Sequence, residues 1–383
     1  MSVFFRRLTA YLPWSIGFSI NKILRGEELM GNPLGAIAPF IDVSDMTIAM
    51  TGGATGLGRA VVDSLIQQHV GKVIVVDIRA DKLAELKAQY GDKVETIEAN
   101  LATANDADYT ALAAKIEQLA FDPVKGRAHL DVFFGNAAIL KATSKTPYEA
   151  TKDFTLAELQ ASFNVNAAAN AVLFNLMSPL LESSGGRFVF TTSPTSGRTS
   201  DTKYPSYGSA KAYQEQFMGC VATGNPAVPV LAFDPGRLDA TGVRAEAYPD
   251  EVPGAQPGPA DIMEPLLLMM SRDADIAGLR GQVVQVNNTE TKDSKGRRIS
   301  QRAVDDAGQE GYAVIIKKRL LASRPGEGDV ISHFITSHSR VQVGADALPP
   351  YDENAQTLGQ IYGLPSQQIA KQMTPGLHPA LKK

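Results

Sequence analysis

Tyr207 and Lys211 stand four residues apart in the stretch Tyr204-Pro205-Ser206-Tyr207-Gly208-Ser209-Ala210-Lys211. On a helix that spacing stacks a phenol and an ammonium on one face, a turn apart. A cation held there favours phenolate over phenol and lowers a tyrosine pKa that starts near ~10. A phenol tuned in this way exchanges a proton with an alcohol or a carbonyl near neutral pH. The same spacing also occurs on plain solvated helix faces, so the pair acquires meaning only from what surrounds it. Tyr204 and Tyr213 have no lysine four residues on and do not compete.

The elements that would position such a pair begin upstream. Thr47-Ile48-Ala49-Met50 reads as a short apolar strand that runs into Thr51-Gly52-Gly53-Ala54-Thr55-Gly56-Leu57-Gly58. A helical pattern follows through Val61, Val62, Leu65 and Ile66. Strand, glycine-rich turn and helix in that order form a dinucleotide-binding unit. Gly52, Gly56 and Gly58 let backbone approach a diphosphate, and the helix amino end offers free N–H groups. A second strand, Val73–Val76, ends at Asp77. A carboxylate there accepts hydrogen bonds from ribose hydroxyls and repels a 2′-phosphate, which favours NAD over NADP. Arg79 is read as a solvated arginine at a helix start, although its charge would soften that preference.

Further strands are expected at Val94–Ala99 and Leu130–Phe134, with a helix between them around Tyr109–Leu119. Alternating strands and helices predict an α/β protein: a Rossmann-type doubly wound parallel sheet with helices on both faces. Ligands of such a sheet bind at the carboxyl ends of its strands, where Gly52–Gly58, Asp77, Asn100 and Asn136 all fall.

These motifs resemble the short-chain dehydrogenase/reductase family in its compact branch, over about residues 45 to 290. Thr51 to Gly58 is similar to its Thr-Gly-x-x-x-Gly-x-Gly turn. Asn136-Ala137-Ala138 resembles its Asn-Ala-Gly element with alanine for glycine, and Asn100-Leu101 its Asp-Leu adenine clamp with asparagine for aspartate. The resemblance implies cofactor contacts at Gly52, Thr55, Gly56, Leu57, Gly58, Asp77, Asn100, Leu101, Asn136 and Ala137. Tyr207 and Lys211 would join them, with Pro235, Gly236 and Leu238 of a turn after a strand over Val228–Phe233. The threonine usual after that turn is replaced by Ala240, with Thr241 next.

The resemblance also implies the roles. Tyr207 is the acid/base, and Lys211 lowers its pKa and holds the nicotinamide ribose. Ser193, after a strand over Arg187–Thr191, is the catalytic hydroxyl, with Thr192 as the alternative. Asn166, within a long helix Leu156–Leu181, supports a proton path from the lysine through its backbone and a water; Asn164 is the weaker candidate. The implied activity is an NAD-dependent oxidoreductase interconverting a secondary alcohol and a ketone. A bulky apolar or aromatic substrate is expected from the extensions at both ends. A protein that binds NAD as a sensor or scaffold without chemistry is the alternative, suggested by the departures at Asn100, Ala138 and Ala240. The family's pairing of the long helix with the helix of Tyr207 implies a homodimer or homotetramer.

Composition sets the remaining bounds. The chain has 383 residues and a net charge of -4, so no nucleic-acid surface is implied. The single cysteine, Cys220, and five scattered histidines suggest neither a disulfide nor a metal site, and a reducing cytoplasmic setting fits. Residues 1–45 form an amino-terminal arm in which aromatics mix with Arg6, Arg7, Lys22 and Arg25. Its apolar run is too short to span a bilayer; it packs on protein or lies on a membrane surface. Residues 46–290 form the catalytic domain, with a substrate lid expected over Tyr248–Pro259. Residues 291–383 form an extension that packs on the core or a neighbouring subunit. Within it, Thr291–Arg298 reads as an exposed loop, Tyr312–Leu321 and Asp329–Thr336 as ordered segments, and Leu358, Ile361 and Tyr362 as a helical face.

Overall fold

The computed structural model describes residues 41–140, 155–197, 205–225, 227–239, 241, 256–272 and 280–287, with strand segments 290–292, 298–300, 303–304, 310–311, 313–317 and 331–336. The arm, most of the lid, Ala240 and the helical face around Ile361 lie outside the described residues.

The parallel part of the chain alternates as its pattern predicts. In order come β1 (Thr47–Thr51), α1 (Gly56–Gln67), β2 (Lys72–Asp77), α2 (Ala80–Tyr90), β3 (Val94–Glu98), α3 (Asp106–Leu119) and β4 (Val132–Gly135). The second half runs α4 (Leu156–Phe163), α5 (Ala169–Ser184), β5 (Arg187–Thr191), α6 (Pro205–Gly224), β6 (Val230–Asp234), α7 (Met263–Met270) and β7 (Val283–Asn287). Two further strands follow, β8 (Ala313–Lys317) and β9 (Ile331–Thr336).

All nine strands join one sheet in the order β9-β8-β7-β6-β5-β4-β1-β2-β3. Strands β1 to β7 are parallel to their neighbours. Strand β8 runs antiparallel to β7, and β9 antiparallel to β8. The two apolar segments expected in the extension thus continue the sheet past β7. The two ends of the expected loop Thr291–Arg298 are strand, Glu290–Lys292 pairing antiparallel with Arg298–Ser300, while residues 293–297 lie outside the described residues. A ribbon satisfies the backbone groups that a charged loop would leave to water.

Side chains alternate between the two faces of the sheet with the period of two that strands impose. Ile48, Met50, Val73, Val75, Phe134, Val189, Leu231 and Phe233 join the core on one face, with Val61, Val62 and Leu65 of α1. Ala49, Ile74, Val76, Phe133, Phe188, Phe190 and Ala232 join the core on the other, with Leu173 and Met177 of α5. Phe133 and Phe188 stack across β4 and β5 with centroids 5.0 Å apart. Strands buried on both faces read as continuous apolar runs, which is why β1, β2, β5 and β6 were legible.

The expected long helix is present, helical without a gap from residue 156 to 184, and carries a π bulge. Asn164–Ala168 forms a π turn between α4 and α5. Strand order reverses at β1, which lies between β2 and β4. The crevice beyond the carboxyl ends of β1 and β4 is therefore where such a sheet takes a ligand.

Candidate active site

The turn after β1 is built from backbone, and its glycines are there for steric reasons. Gly52 and Gly56 have φ of 67° and 56°, in the left-handed region that side chains resist. A Cβ on Gly58 would lie 1.9 Å from the carbonyl oxygen of Gly52, and one on Gly52 would lie 2.7 Å from Ala137 Cα. The turn is held from beneath by side chains. Thr51 Oγ1 accepts from the backbone N–H of Asn136 at 3.1 Å and of Ala137 at 3.0 Å. Asn136 Nδ2 donates to the Gly52 carbonyl at 3.0 Å, and Thr191 Oγ1 donates to Asn136 Oδ1 at 3.0 Å. Thr55 caps α1 without a side-chain hydrogen bond, and no acidic residue occupies the first turn. This cradle, a glycine turn opening on a helix amino end with no acidic residue in the helix's first turn, fits a diphosphate. Leu57 is buried beneath this turn.

Asp77 closes β2 beside the cradle. Its Oδ2 accepts from Ala54 N–H at 3.0 Å and its Oδ1 from Arg79 N–H at 3.1 Å. Asn100 is exposed, and its amide oxygen accepts from Ala102 N–H at 3.0 Å within its own turn. Leu101 beside it is buried. Pro235 and Leu238 are buried, and Gly236 has φ of 68°. Thr241 lies against the glycine turn, its Cβ 3.6 Å from the place a Cβ on Gly56 would occupy. The family spacing points to position 240, and Thr241 next to it is the side chain that meets the turn.

The acid/base candidates gather on α6 and at the end of β5. Lys211 is fully buried, and its Nζ donates to the Thr191 carbonyl at 2.8 Å. The same Nζ lies 5.6 Å from the centroid of the Tyr207 ring. Ser193 hydrogen-bonds the Tyr207 phenol, and its Oγ accepts from Thr195 N–H at 3.3 Å. Thr192 faces elsewhere: its Oγ1 donates to Glu215 Oε1 at 2.7 Å. Of the two hydroxyls left open by sequence, Ser193 is thus the one beside the phenol. Asn166 is fully buried in the π turn. Its Oδ1 accepts from Ile139 N–H at 2.9 Å, and its Nδ2 donates to the Ile139 carbonyl at 2.8 Å. The side chain thereby pins the segment after β4. Asn164 donates instead to the Ala102 carbonyl at 2.8 Å, near the adenine-side turn.

The electrostatics correct one expectation. Lys211 does not acidify Tyr207. Burial pushes the phenol up to about 12; the Ser193 hydrogen bond opposes this and the charge of Asp234 adds to it. Burial also pulls the ammonium down to about 7, against the charges of Glu215 and Asp234. For both groups the loss of water outweighs the charges and hydrogen bonds around them. The expectation counted proximity and omitted desolvation, which two residue names cannot reveal. Asp234 and Glu215 were missed for the same reason: their burial, at 1% and 3% exposed, makes them influential.

Among the described residues, no three potential ligands group into a metal site, and no helix is long and apolar enough to cross a membrane.

The likeness to known proteins follows the same residues. A model of the short chain dehydrogenase family matches residues 46–252, more than half of the chain. A 3-phenylpropionate-dihydrodiol/cinnamic acid-dihydrodiol dehydrogenase of Escherichia coli O8 is 33% identical over 156 residues, 40% of this chain and 52% of that protein. The chain thus spans about half the length of the curated relatives it matches. A short chain dehydrogenase structure from Pseudomonas syringae aligns with TM-score 0.55 and 28% identity, over 63% of this chain and 95% of its own. One from Escherichia coli CFT073, complexed with NADPH, aligns with TM-score 0.55 and 25% identity, over 64% and 98%. With fold, glycine turn and matched span in agreement, the chain belongs to the short chain dehydrogenase family of oxidoreductases.

Proposed function

We propose that this chain is an NAD-dependent oxidoreductase that interconverts a secondary alcohol and a ketone on a bulky apolar or aromatic skeleton. One observation carries the reading. A relay of hydrogen bonds joins the glycine turn to the buried lysine: Asn136 ties the Gly52 carbonyl to Thr191, and the Thr191 carbonyl takes Lys211 Nζ. The place for a diphosphate and the place for proton transfer are thereby braced against each other.

When bound, the nicotinamide supplies the hydride acceptor or donor. The chain supplies the rest. Tyr207, protonated near neutral pH, gives its proton to the substrate oxygen in reduction and recovers it in oxidation. Ser193 Oγ donates to that same oxygen and stabilises charge where it develops. Lys211 seats α6 against β5, and Asn166 holds the segment that follows β4. The relatives named for dihydrodiols support a ring-borne secondary alcohol as substrate, since a dihydrodiol carries two of them.

NAD is favoured by the Asp77 carboxylate at the end of β2, beside the cradle. The NADPH of the Escherichia coli CFT073 structure marks the rival cofactor, and the exposed Arg79 is the cation that would receive a 2′-phosphate. A homodimer or homotetramer is proposed through α4 and α6, where Leu156, Phe163 and Tyr213 are exposed and Phe163 meets Tyr213 edge-on at 5.1 Å. A cytoplasmic setting is proposed with it, and liposome cosedimentation with and without residues 1–25 tests whether the arm adds a membrane contact.

The deciding experiment follows reduced-nicotinamide absorbance with NAD or NADP and a panel of cyclic secondary alcohols and dihydrodiols. Turnover with NAD well above that with NADP is expected. Tight dinucleotide binding without turnover anywhere on the panel would replace the enzyme reading with that of a sensor.

A further inference from the structure

We propose that Thr195 is a positioning residue of the acid/base group: by donating its hydroxyl proton to Ser193 Oγ, it leaves the serine able only to donate toward the substrate oxygen. The inference rests on the oxidoreductase function proposed above and deepens it.

Thr195 lies in the single 3-10 turn Pro194–Gly197 that follows β5, and it is half-buried. The turn is tied at both ends. Ser196 N–H donates to the Ser193 carbonyl at 3.1 Å, and Ser196 Oγ donates to the buried Glu215 carboxylate of α6. Thr195 also packs on the start of α6. A Cβ on Gly208 would lie 3.3 Å from the Thr195 carbonyl oxygen and 3.8 Å from Thr195 Cβ. Gly208 is the residue after Tyr207, so one threonine abuts the helix turn that carries the phenol and also touches the catalytic serine.

Three contacts meet at Ser193 Oγ. Thr195 N–H reaches it at 3.3 Å, Thr195 Oγ1 at 3.0 Å, and the Tyr207 phenol is the third. A serine hydroxyl has one proton to give and two lone pairs to accept with. The amide N–H can only donate, and it takes one lone pair. Burial raises the phenol's pKa and the serine bond opposes it, as a donor to the phenolate oxygen does. The serine's single proton therefore points to the phenol, and Thr195 Oγ1 must be a donor to the second lone pair. The bonds run in one direction, from Thr195 to Ser193 and from Ser193 to the phenol or the substrate oxygen. With both lone pairs filled, Ser193 cannot accept the Tyr207 proton, which stays free for the substrate. Without the threonine hydroxyl, one lone pair opens. The phenol can then donate to the serine, which holds the proton away from the substrate.

The test is steady-state kinetics of the wild type, Thr195→Val, Thr195→Ser, Ser193→Ala and the double variant Thr195→Val with Ser193→Ala. The probe is the secondary alcohol that the wild type oxidises fastest on the panel described above, and melting temperature is followed alongside. Thr195→Val is expected to lower kcat ~10-fold, the effect of one misdirected hydrogen bond. KM for the dinucleotide is expected to stay within about twofold, because the glycine turn is untouched. Thr195→Ser keeps the hydroxyl and is expected to stay within about threefold of wild type in kcat. Because Thr195 acts through Ser193, adding Thr195→Val to Ser193→Ala is expected to cost less than about twofold more. Thr195→Ala replaces the valine variant if that one melts early. An unchanged kcat in a folded Thr195→Val, or an equal loss with and without Ser193, overturns the inference and leaves the function standing. A wild type that turns over no alcohol on the panel removes the proposed function, and the inference with it.

Discussion

The glycine turn after β1 and the Tyr207–Lys211 group at the end of β5 are joined by one relay of hydrogen bonds, yet they are made differently. The turn is a steric object. Its shape follows from missing Cβ atoms, left-handed backbone and carbonyls placed where side chains would collide. The second group is an electrostatic object. Its members are buried charges and hydroxyls whose protonation depends on how much water each has lost. Steric objects fail abruptly when altered, because backbone cannot move aside. Electrostatic objects fail by degrees, and their failures depend on pH.

The sharpest break is expected in the turn. Gly58→Ala would place a Cβ 1.9 Å from the Gly52 carbonyl, far inside contact distance, with Asn136 Nδ2 also within 2.8 Å. Relief requires the turn to open, which removes the cradle. Dinucleotide binding should fall by more than ~100-fold, read by titration calorimetry, with a lowered melting temperature. Near-normal binding would show that the turn is not the diphosphate site.

Tyr207→Phe should behave in the opposite way. Removing one hydroxyl leaves the ring and its packing, so the melting temperature should hold while turnover falls ~100- to 10,000-fold. Dinucleotide dissociation constants should move by less than about threefold, since the cradle is untouched. Retained turnover would remove Tyr207 from the chemistry. Loss of binding together with turnover would mean that the two regions are not separable.

This contrast also explains what could be read from the sequence. The steric half was legible nearly whole. Apolar runs at Ile48–Met50, Val73–Val76 and Arg187–Thr191 gave strands buried on both faces, and glycines at 52, 56 and 58 stand where nothing else fits. The members of the electrostatic half were legible, but their states were not. A spacing of four from Tyr207 to Lys211 specifies a shared helix face and says nothing of water. The sign of the phenol shift was therefore misread, and Asp234 and Glu215 passed unnoticed as ordinary acids. The π turn at Asn164–Ala168 was invisible because its residues fit a helical pattern as well as α5 does; only the need to bring Asn166 onto Ile139 distinguishes it.

A smaller effect, dependent on pH, should appear at Lys211. Its folded value is pulled down to about 7 from an ordinary 10.5, so between those values the unfolded chain holds a proton that the folded chain has released. Stability then rises with pH across that window, and below about 7 the fold bears the whole cost of the buried charge. Lys211→Met removes this titration. Relative to the variant, the wild type should gain stability from pH 7 to 9.5, followed by melting temperature at constant ionic strength. The Tyr207 phenol does not interfere, because its raised value costs stability only above ~10. A difference that is flat or narrows in the other direction would mean that Lys211 keeps its charge in the fold, and the phenol would then have to be acidified as first expected.

The smallest effect divides the two neighbouring hydroxyls. Thr192 and Ser193 are adjacent, and both are buried, at 1% and 8% exposed. They nevertheless serve different objects: Ser193 meets the phenol, while Thr192 Oγ1 donates to the buried Glu215 carboxylate at 2.7 Å. Thr192→Val keeps the size and removes one hydrogen bond to a buried charge, a loss of about 2 kcal/mol of stability. Turnover at a temperature where the variant is folded should stay within about threefold of wild type, because nothing that touches the substrate oxygen has changed. Ser193→Ala reverses the pattern, with stability nearly unchanged and turnover down ~100-fold from the lost donor. The reverse outcome, a sound Ser193→Ala and an inactive Thr192→Val, would hand the catalytic hydroxyl to Thr192 and require the end of β5 to rotate when the site fills.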